Sequence, residues 1–320
     1  MRLKIMRLKI TRLKSSLALP VLLLLSCCST GDYRLLHPLS QIAGVEWWST
    51  LFEVGIMSLI IVPVTVLIAV FIWRYRKGAN ATYDPSFTHS LALEILVWGV
   101  PLVIVAICGV VSIRTIHEVD PYAPDLLASA EAAQPPLDID VITTDWQWLF
   151  VYPDQHIAAI DELVVPAGRV VHLRLTSTSV TNDFFIPQIA PMIDVMPGMR
   201  TEDTFDAMAP GTYTGFSADF SGAGFSWMQF ATRIVPPADF AAWVAQASAS
   251  PNQLSYTAFT TLAQPTLNEG AKISYFSNPD EQLFDRVVLA AQAGVVYPVS
   301  DELTKSVANL EGAAASSPAK

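Results

Sequence analysis

The sequence predicts a membrane-anchored chain in which a two-helix transmembrane hairpin is followed by an all-β sandwich and a C-terminal helical extension. Hydrophobic residues make up 52% of the 320 residues and charged residues only 15%, which is too apolar for an ordinary soluble protein. Two apolar runs are each long enough to cross a bilayer. From residue 137 onward, short alternating segments are separated by Gly, Pro, Asn or Asp, as in a β-sandwich.

The N-terminus is typical of an exported bacterial lipoprotein. Basic side chains precede the apolar run 17–25, which is too short to be a span, so we predict a signal peptide over 1–26. Met6 is an alternative start. Leu-Leu-Ser-Cys at 24–27 resembles a lipidation signal, so a lipidated segment over 27–46 is expected, with Cys27 acylated, as by palmitate. Alternatively, Cys27 and Cys28 are small apolar residues that end a retained anchor.

The two apolar runs, 54–73 and 95–113, predict a transmembrane hairpin over 47–116. A helix of about 20 residues crosses about 30 Å of hydrocarbon. The segment between the runs begins with Arg74, Arg76 and Lys77, and the positive-inside rule assigns such a loop to the cytoplasm. We therefore expect a multi-pass protein of the bacterial inner (cytoplasmic) membrane whose large C-terminal domain lies in the periplasm.

The rest of the chain divides by composition into a linker, a β domain and an extension. A Pro- and Ala-rich linker covers 117–136 and the β domain covers 137–236. Strands are predicted at 138–142, 146–152, 162–165, 170–176, 201–205, 212–216 and 228–235. The helical, aromatic-rich extension covers 237–311, with helical patterns at 236–249 and 280–293. The Ala/Ser-rich tail 312–320 is expected to be disordered.

The charge distribution argues against a nucleic-acid partner. Six of the 19 basic side chains and none of the 29 acidic ones precede Cys27. A chain that begins at Cys27 would therefore carry 13 basic and 29 acidic groups, a net charge of −16. Phosphate backbones are bound by clustered Lys and Arg, and such an acidic surface is therefore unsuited to binding nucleic acid.

The segment 215–228, Gly-Phe-Ser-Ala-Asp-Phe-Ser-Gly-Ala-Gly-Phe-Ser-Trp-Met, resembles a dinuclear copper loop that has lost its ligands. Such a loop uses two thiolates four residues apart, then His and Met, whereas here Ser217, Ser221 and Phe225 precede Met228. Serine hydroxyls are poor ligands for copper, which binds thiolate and imidazole. The five histidines do not group with a thiolate, so we predict that this chain binds no metal and no cofactor.

Other motifs resemble subunit II of the haem–copper oxidases, in the same order. His-Ser at 89–90 with Glu94, Trp98 and Pro101 resembles the family's second-span signature, and Asp-Trp-Gln-Trp-Leu-Phe-Val-Tyr-Pro at 145–153 resembles its aromatic strand. Asn182 begins Asn-Asp-Phe-Phe-Ile-Pro where copper-binding members have His, which makes it a fourth lost ligand. The resemblance covers nearly the whole mature chain and implies a cupredoxin-like sandwich.

Loss of all four ligands resembles the quinol branch of that family, the cytochrome bo-type ubiquinol oxidases. Ile-Ser-Tyr-Phe-Ser at 273–277, with Leu-Phe at 283–284, resembles an aromatic-rich motif of that branch. The resemblance implies a proton-pumping complex that transfers electrons from ubiquinol to oxygen, forming water. Haems and copper are expected in the partner subunit I. This chain would be a non-catalytic subunit of that quinol:oxygen oxidoreductase, bound to subunit I and the other oxidase subunits.

The resemblance also assigns candidate roles to single residues. Glu94 stands where a family carboxylate is implicated at the entrance of a proton channel into subunit I. The alternative interpretation is that Glu94 is a solvated residue at the start of a helix, where the helix dipole favours an acidic side chain. Asp219 replaces a family Glu that can help to hold a redox-inactive metal, and its role stays open. Trp146 and Trp148 are expected to pack or to dock against subunit I, and Met228 is expected in the core.

Two other functions remain open from the sequence. One is a cytochrome c oxidase subunit that still carries copper, which the missing thiolates argue against. The other is a stand-alone periplasmic membrane lipoprotein that uses its sandwich for binding or assembly. The hairpin argues against the second, because two lone spans with Glu94 and His89 at one edge indicate packing against a larger helix bundle.

Overall fold

The computed structural model describes residues 36–79, 89–120, 135–267, 269, 272–295 and 297. The chain divides into two compact units, Met1–His37 and Pro38–Lys320, and every element below belongs to the second. The predicted signal peptide, Cys27, most of the linker and the tail 312–320 lie outside the described residues.

Two long helices, α1 (Gln41–Arg74) and α2 (Leu91–Val119), are apolar and long enough to cross a membrane, and their most apolar stretches are not buried within the chain. Each extends beyond the apolar run that predicted it, and α2 continues into the predicted linker. The start of α1 is determined by a cap and by packing. Ser40 accepts a hydrogen bond from the Ala43 amide at 3.0 Å, and Ile42 and Ala43 are buried against the sandwich.

The second part of the unit is a cupredoxin-like sandwich of two mixed sheets. Six strands form the first sheet in the order β11-β3-β2-β1-β5-β8, and five form the second in the order β4-β10-β9-β6-β7. The strands are β1 (Leu137–Thr144), β2 (Gln147–Tyr152), β3 (Ile157–Ile160), β4 (Glu162–Pro166), β5 (Val170–Ser177), β6 (Asn182–Ile186), β7 (Ala190–Val195), β8 (Thr201–Asp206), β9 (Gly211–Ser217), β10 (Gln229–Val235) and β11 (Ser274–Ser277).

The seven predicted strands are present with shifted ends, and β3, β6, β7 and β11 are additional. In β3 every residue is buried, so it has no alternation to recognise. β11 pairs with β3 although it lies in the predicted extension. The extension is therefore part of the sandwich, and a domain boundary at 236 does not separate the two.

Three shorter helices complete the C-terminal part: α3 (Pro237–Ser248), α4 (Tyr256–Leu262) and α5 (Leu283–Gln292). Phe240 and Trp243 of α3 join the core between the sheets. A second apolar cluster lies between the first sheet and the last two helices, and it includes Phe259 of α4 and Phe284 of α5. Thus α4 and α5 cover the outer face of the first sheet, whose side chains alternate along the strands with those that point into the main core.

Tyr152 connects the two sheets through a pair of hydrogen bonds. Its hydroxyl accepts from the Val164 amide at 2.9 Å and donates to the Val164 carbonyl at 3.0 Å. Burial raises the pKa of Tyr152 well above its ordinary value, so the hydroxyl stays protonated and able to donate.

Tyr152→Phe is expected to lower the free energy of unfolding by about 1–3 kcal/mol, because two buried backbone groups lose their partner. Denaturant unfolding followed by circular dichroism measures this loss. Tyr213→Phe is the matched control, since the half-buried Tyr213 hydroxyl donates a hydrogen bond to the Ala209 carbonyl and bridges no second strand. Equal losses in the two variants would contradict the role given to Tyr152.

Candidate functional site

The four positions that the sequence analysis predicts as lost copper ligands lie at one end of the second sheet. Asn182 begins β6 and Ser217 ends β9, and these strands are antiparallel neighbours. Ser221 and Phe225 lie in the loop between β9 and β10, with Phe225 in a short 3-10 helix, Phe225–Trp227. Strand pairing therefore brings together positions that are far apart in sequence, and the loop completes the set.

Asn182 and Ser217 form a hydrogen-bonded pair. Both are buried, and the Ser217 hydroxyl lies 3.4 Å from Asn182 Oδ1 and 3.2 Å from the Asp183 amide nitrogen, which donates to it. The Asn182 amide nitrogen donates to Thr143 Oγ1 at 3.2 Å. Neutral polar groups here satisfy one another, so the frame of the site is held by hydrogen bonds between its own residues.

The loop closes around the indole of Trp146. The Trp146 ring nitrogen donates to the Ser221 carbonyl at 2.9 Å. A Cβ atom added at Gly222, where φ is +125°, or at Gly224 would lie 2.5 Å from the indole. Both glycines are thus required for this close approach. The Ser221 hydroxyl is buried and has no hydrogen-bond partner in the structure.

Phe225 occupies the fourth of these positions, and Met228 follows it at the end of the loop. The Phe225 ring packs edge-on against Phe220 at 5.5 Å, and Phe220 is 75% exposed. Met228 is fully buried in the main core, and its carbonyl accepts from the Ser217 amide at 3.3 Å. Met228 therefore contributes packing and backbone contacts.

Three carboxyl groups surround this end of the sheet. Asp183 and Asp194 are directly opposite each other on β6 and β7, and Asp219 follows the end of β9. Burial, then a hydrogen bond to Asp194, then the negative charges of Asp194 and Asp219 raise the pKa of Asp183 to about 6. Asp183 consequently retains its proton more readily than an isolated carboxyl group does.

The residue types do not suit a dinuclear copper centre. Amide, hydroxyl and phenyl groups occupy the positions where thiolate and imidazole would be needed. Within the part of the chain that the structure covers, no group of three or more His, Cys, Asp or Glu is arranged to hold a metal ion. We therefore derive no electron transfer through this loop.

Glu94 lies apart from the loop, in the first turn of α2. Its side chain is exposed, and its amide donates to the Ser90 carbonyl at 2.9 Å. A carboxylate is favoured there by the helix dipole. The two predicted tryptophans, Trp146 and Trp148, are both buried in the main core, so their rings pack inside the sandwich.

Sequence reasoning did not detect two carboxyl features, the Asp183–Asp194 pair and the buried Asp203. The burial of Asp203 could have been predicted from the sequence. In Thr-Glu-Asp-Thr-Phe-Asp, Asp203 shares a strand face with Phe205, and Phe205 is a core residue. The Asp183–Asp194 pair could not have been predicted, because it depends on the register between two strands.

Comparison with known families agrees with this architecture. The family described as Cytochrome C oxidase subunit II, periplasmic domain, matches residues 151–235. The family described as COX Aromatic Rich Motif matches residues 248–290, which include α4, β11 and most of α5. Both matches fall on the sandwich and its helical cover.

Curated relatives match most of the chain. Cytochrome bo(3) ubiquinol oxidase subunit 2 of Pseudomonas putida is 36% identical over 261 residues, which is 81% of each chain. The protein of the same name from Buchnera aphidicola subsp. Baizongia pistaciae is 39% identical over 272 residues, covering 83% of this chain and 93% of the relative. The chain belongs to the ubiquinol oxidase subunit 2 family.

Among solved structures, this family member is similar to the periplasmic domain of subunit II of cytochrome oxidase from Bradyrhizobium japonicum. The two are 28% identical, with a TM-score of 0.33, over 34% of this chain and 91% of the other. As a ubiquinol oxidase subunit 2 within the haem–copper oxidases, the chain combines two membrane-type helices with a cupredoxin-like domain. Asn182, Ser217, Ser221 and Phe225 stand at the ligand positions predicted from the sequence.

Proposed function

We propose that this chain is a non-catalytic subunit II of a proton-pumping ubiquinol oxidase, which transfers electrons from ubiquinol to oxygen and forms water. The observation that carries the proposal is an intact subunit II fold whose copper-ligand positions are occupied by a hydrogen-bonded amide, two hydroxyls and a phenyl ring. Thr143, Asn182 and Ser217 are linked by hydrogen bonds of 3.2 and 3.4 Å. Such neutral groups cannot relay electrons by changing oxidation state.

The chain therefore acts by holding the complex together. Two apolar helices whose surfaces are exposed in the isolated chain provide a membrane surface for the helices of subunit I and of other subunits. Haems, copper and the ubiquinol site belong to those partners. The buried Trp146 and Trp148 stabilise the sandwich and take no part in electron transfer.

The topology follows from charge and hydropathy. Arg74, Arg76 and Lys77 end α1 and begin the connection to α2, so this connection is cytoplasmic. The sandwich then lies in the periplasm, and the chain is a multi-pass protein of the bacterial inner membrane. A signal peptide over 1–26 and acylation of Cys27 give the N-terminus a second attachment.

Glu94 supplies the entrance of a proton channel into subunit I. It is exposed in the first turn of α2, at the cytoplasmic end in this topology. A carboxylate at a membrane edge can take protons from bulk water, and ionisable groups near spans are usually functional.

The proposal is tested by purifying the complex in mild detergent through a C-terminal tag on this chain. We expect haem bands in the reduced-minus-oxidised spectrum and oxygen consumption with ubiquinol in the eluate. A colourless eluate from cells that contain the oxidase would overturn the proposal and favour the stand-alone lipoprotein. Oxidation of cytochrome c instead of ubiquinol would also contradict it.

A further inference from the structure

Asp203 is a buried carboxyl group in the apolar interior at the edge of the first sheet. Its side chain is fully buried, and it points to the same face of β8 as the core residue Phe205. Across the ladder its Cα partner is Leu173 of β5, also fully buried. A carboxylate in such surroundings is strongly disfavoured unless it is paired and hydrogen-bonded.

The hydrogen bonds of Asp203 do not meet this need. Oδ1 accepts from the adjacent Thr204 amide at 2.8 Å, whereas Oδ2 has no hydrogen-bond partner among the described residues. An ionised Asp203 would thus leave a buried, charged oxygen without a donor. A protonated Oδ2 carries no charge and can itself donate a hydrogen bond.

The charged groups near Asp203 reinforce this preference. Burial is the main cause that raises the pKa of Asp203, and the negative charge of Glu46 on α1 acts in the same direction. The Thr204 amide and His172 of β5 act in the opposite direction, and the net pKa is about 7. His172 is itself occupied, with Nδ1 2.8 Å from Asp138 and Nε2 3.7 Å from Glu202.

Three other charged groups on the strands around Asp203 form hydrogen bonds or ion pairs with residues other than Asp203. On β8 itself, Asp206 accepts from the Gln41 amide at 3.0 Å. On β5, Arg174 forms a bidentate pair with Asp140. On β7, Asp194 is hydrogen-bonded to Asp183. None of these groups supplies a positive charge to the free oxygen of Asp203.

This carboxyl group lies where α1 is attached to the sandwich. The Leu39 amide donates to the Gln188 carbonyl at 2.8 Å, and the Ser40 hydroxyl donates to the Ile189 carbonyl at 2.6 Å. The Gln41 amide binds Asp206, three residues after Asp203. Glu46 lies on α1, five residues after Gln41, and its negative charge acts on Asp203.

We propose that Asp203 and Glu46 form a proton-binding pair at the junction of α1 with β7 and β8, and that loss of the proton loosens the attachment of the helix start. The proton resides on Asp203 Oδ2 in the closed junction. Its release leaves a charge on the fully buried Asp203 in addition to the charge of the half-buried Glu46, which favours hydration and separation of the two elements. This pair is independent of quinol chemistry and of the loop between β9 and β10.

The sign of the pH effect follows from linkage. A carboxyl group whose pKa is higher in the folded than in the unfolded state holds more protons when folded. Its contribution therefore weakens the fold as pH rises from about 4, its unfolded value, to about 7, and stays unfavourable above that. The junction is expected to be closed in mild acid and looser in alkali.

Hydrogen–deuterium exchange of the backbone amides at 44–48, in the purified full-length complex, tests the proposal at about pH 6 and about pH 9. After correction for the intrinsic exchange rate, the wild type is expected to exchange roughly tenfold faster at the higher pH, as linkage to one proton over part of this range allows. Asp203→Asn, which has the same shape without the charge, is expected to show equal protection at both values.

Two further variants separate this pair from a general charge effect. Glu46→Gln removes the second negative charge, so the loosening at high pH is expected to be smaller than in the wild type. Glu202→Gln removes the carboxyl group next to Asp203 that contacts His172, and it should behave as the wild type. Where Asp203→Asn does not assemble, Asp203→Leu replaces it with a residue suited to the apolar site.

An infrared measurement tests the proton directly. The carbonyl stretch of a protonated carboxylic acid is expected in the wild-type complex at about pH 6 and should disappear toward alkaline pH around the titration. It should be reduced in Asp203→Asn. Absence of that difference, unchanged protection of the wild type with pH, or a pH response that survives in Asp203→Asn would each overturn the proposal.

Discussion

A complex assembled with Glu94→Ala is expected to consume oxygen at roughly a tenth of the wild-type rate or less, a rise of about 1.4 kcal/mol or more in the activation barrier. Glu94 is exposed in the first turn of α2, at the cytoplasmic end in the proposed topology, where a carboxyl group can exchange protons with bulk water. Ubiquinol-driven oxygen consumption per haem is the measurement.

The control for Glu94 is a carboxyl group at the other end of the same helix. Glu118 lies next to the last residue of α2, on the periplasmic side in the proposed topology. Glu118→Ala changes charge and side-chain size in the same way, and it should leave turnover near the wild-type rate. Glu94→Asp, which keeps an acid, should retain more activity than Glu94→Gln.

Haem content distinguishes a proton role from a structural one. With normal haem content and lowered turnover, the chain supplies a group that the reaction needs. Unchanged turnover would contradict the proton role of Glu94. Loss of haem in Glu94→Ala but not in Glu118→Ala would instead make Glu94 a contact required for assembly, and it would contradict the proton role as well.

Trp148→Ala is expected to lower the free energy of unfolding of the sandwich by about 3–5 kcal/mol. Trp148 is fully buried, and its ring lies 5.1 Å from Phe230 and 5.6 Å from Phe184, measured between centroids. Trp148 belongs to the first sheet and both phenylalanines belong to the second, so the substitution leaves a cavity between the two sheets.

The loss is measured by denaturant unfolding of the full chain, followed by the circular dichroism of the strands, since removing a tryptophan alters the fluorescence. Phe220→Ala is the control, because the Phe220 ring is 75% exposed and surface changes usually stay within about 0.5 kcal/mol. Comparable losses in the two variants would show that Trp148 is not a central packing residue.

Local patterns were enough to predict the two membrane-type helices, because a span requires only an apolar run of sufficient length. The loss of copper ligands at Ser217, Ser221 and Phe225 stays a prediction, and it depends on residue type without any knowledge of distances. Strands that alternate were also predicted. β3 was missed because both of its faces are buried, and β11 because its partner strand is more than a hundred residues earlier in the chain.

The sequence by itself therefore determined the membrane helices, the class of the sandwich and the lack of thiolate and imidazole side chains in the loop between β9 and β10, since these depend on residue type and on spacing along the chain. Only the tertiary structure decided that Asn182 binds Ser217, that Asp183 faces Asp194, and that Asp203 is enclosed beside the start of α1. These contacts join strands and helices that are distant in sequence, and the burial that raises the pKa of a carboxyl group exists only after those elements have packed.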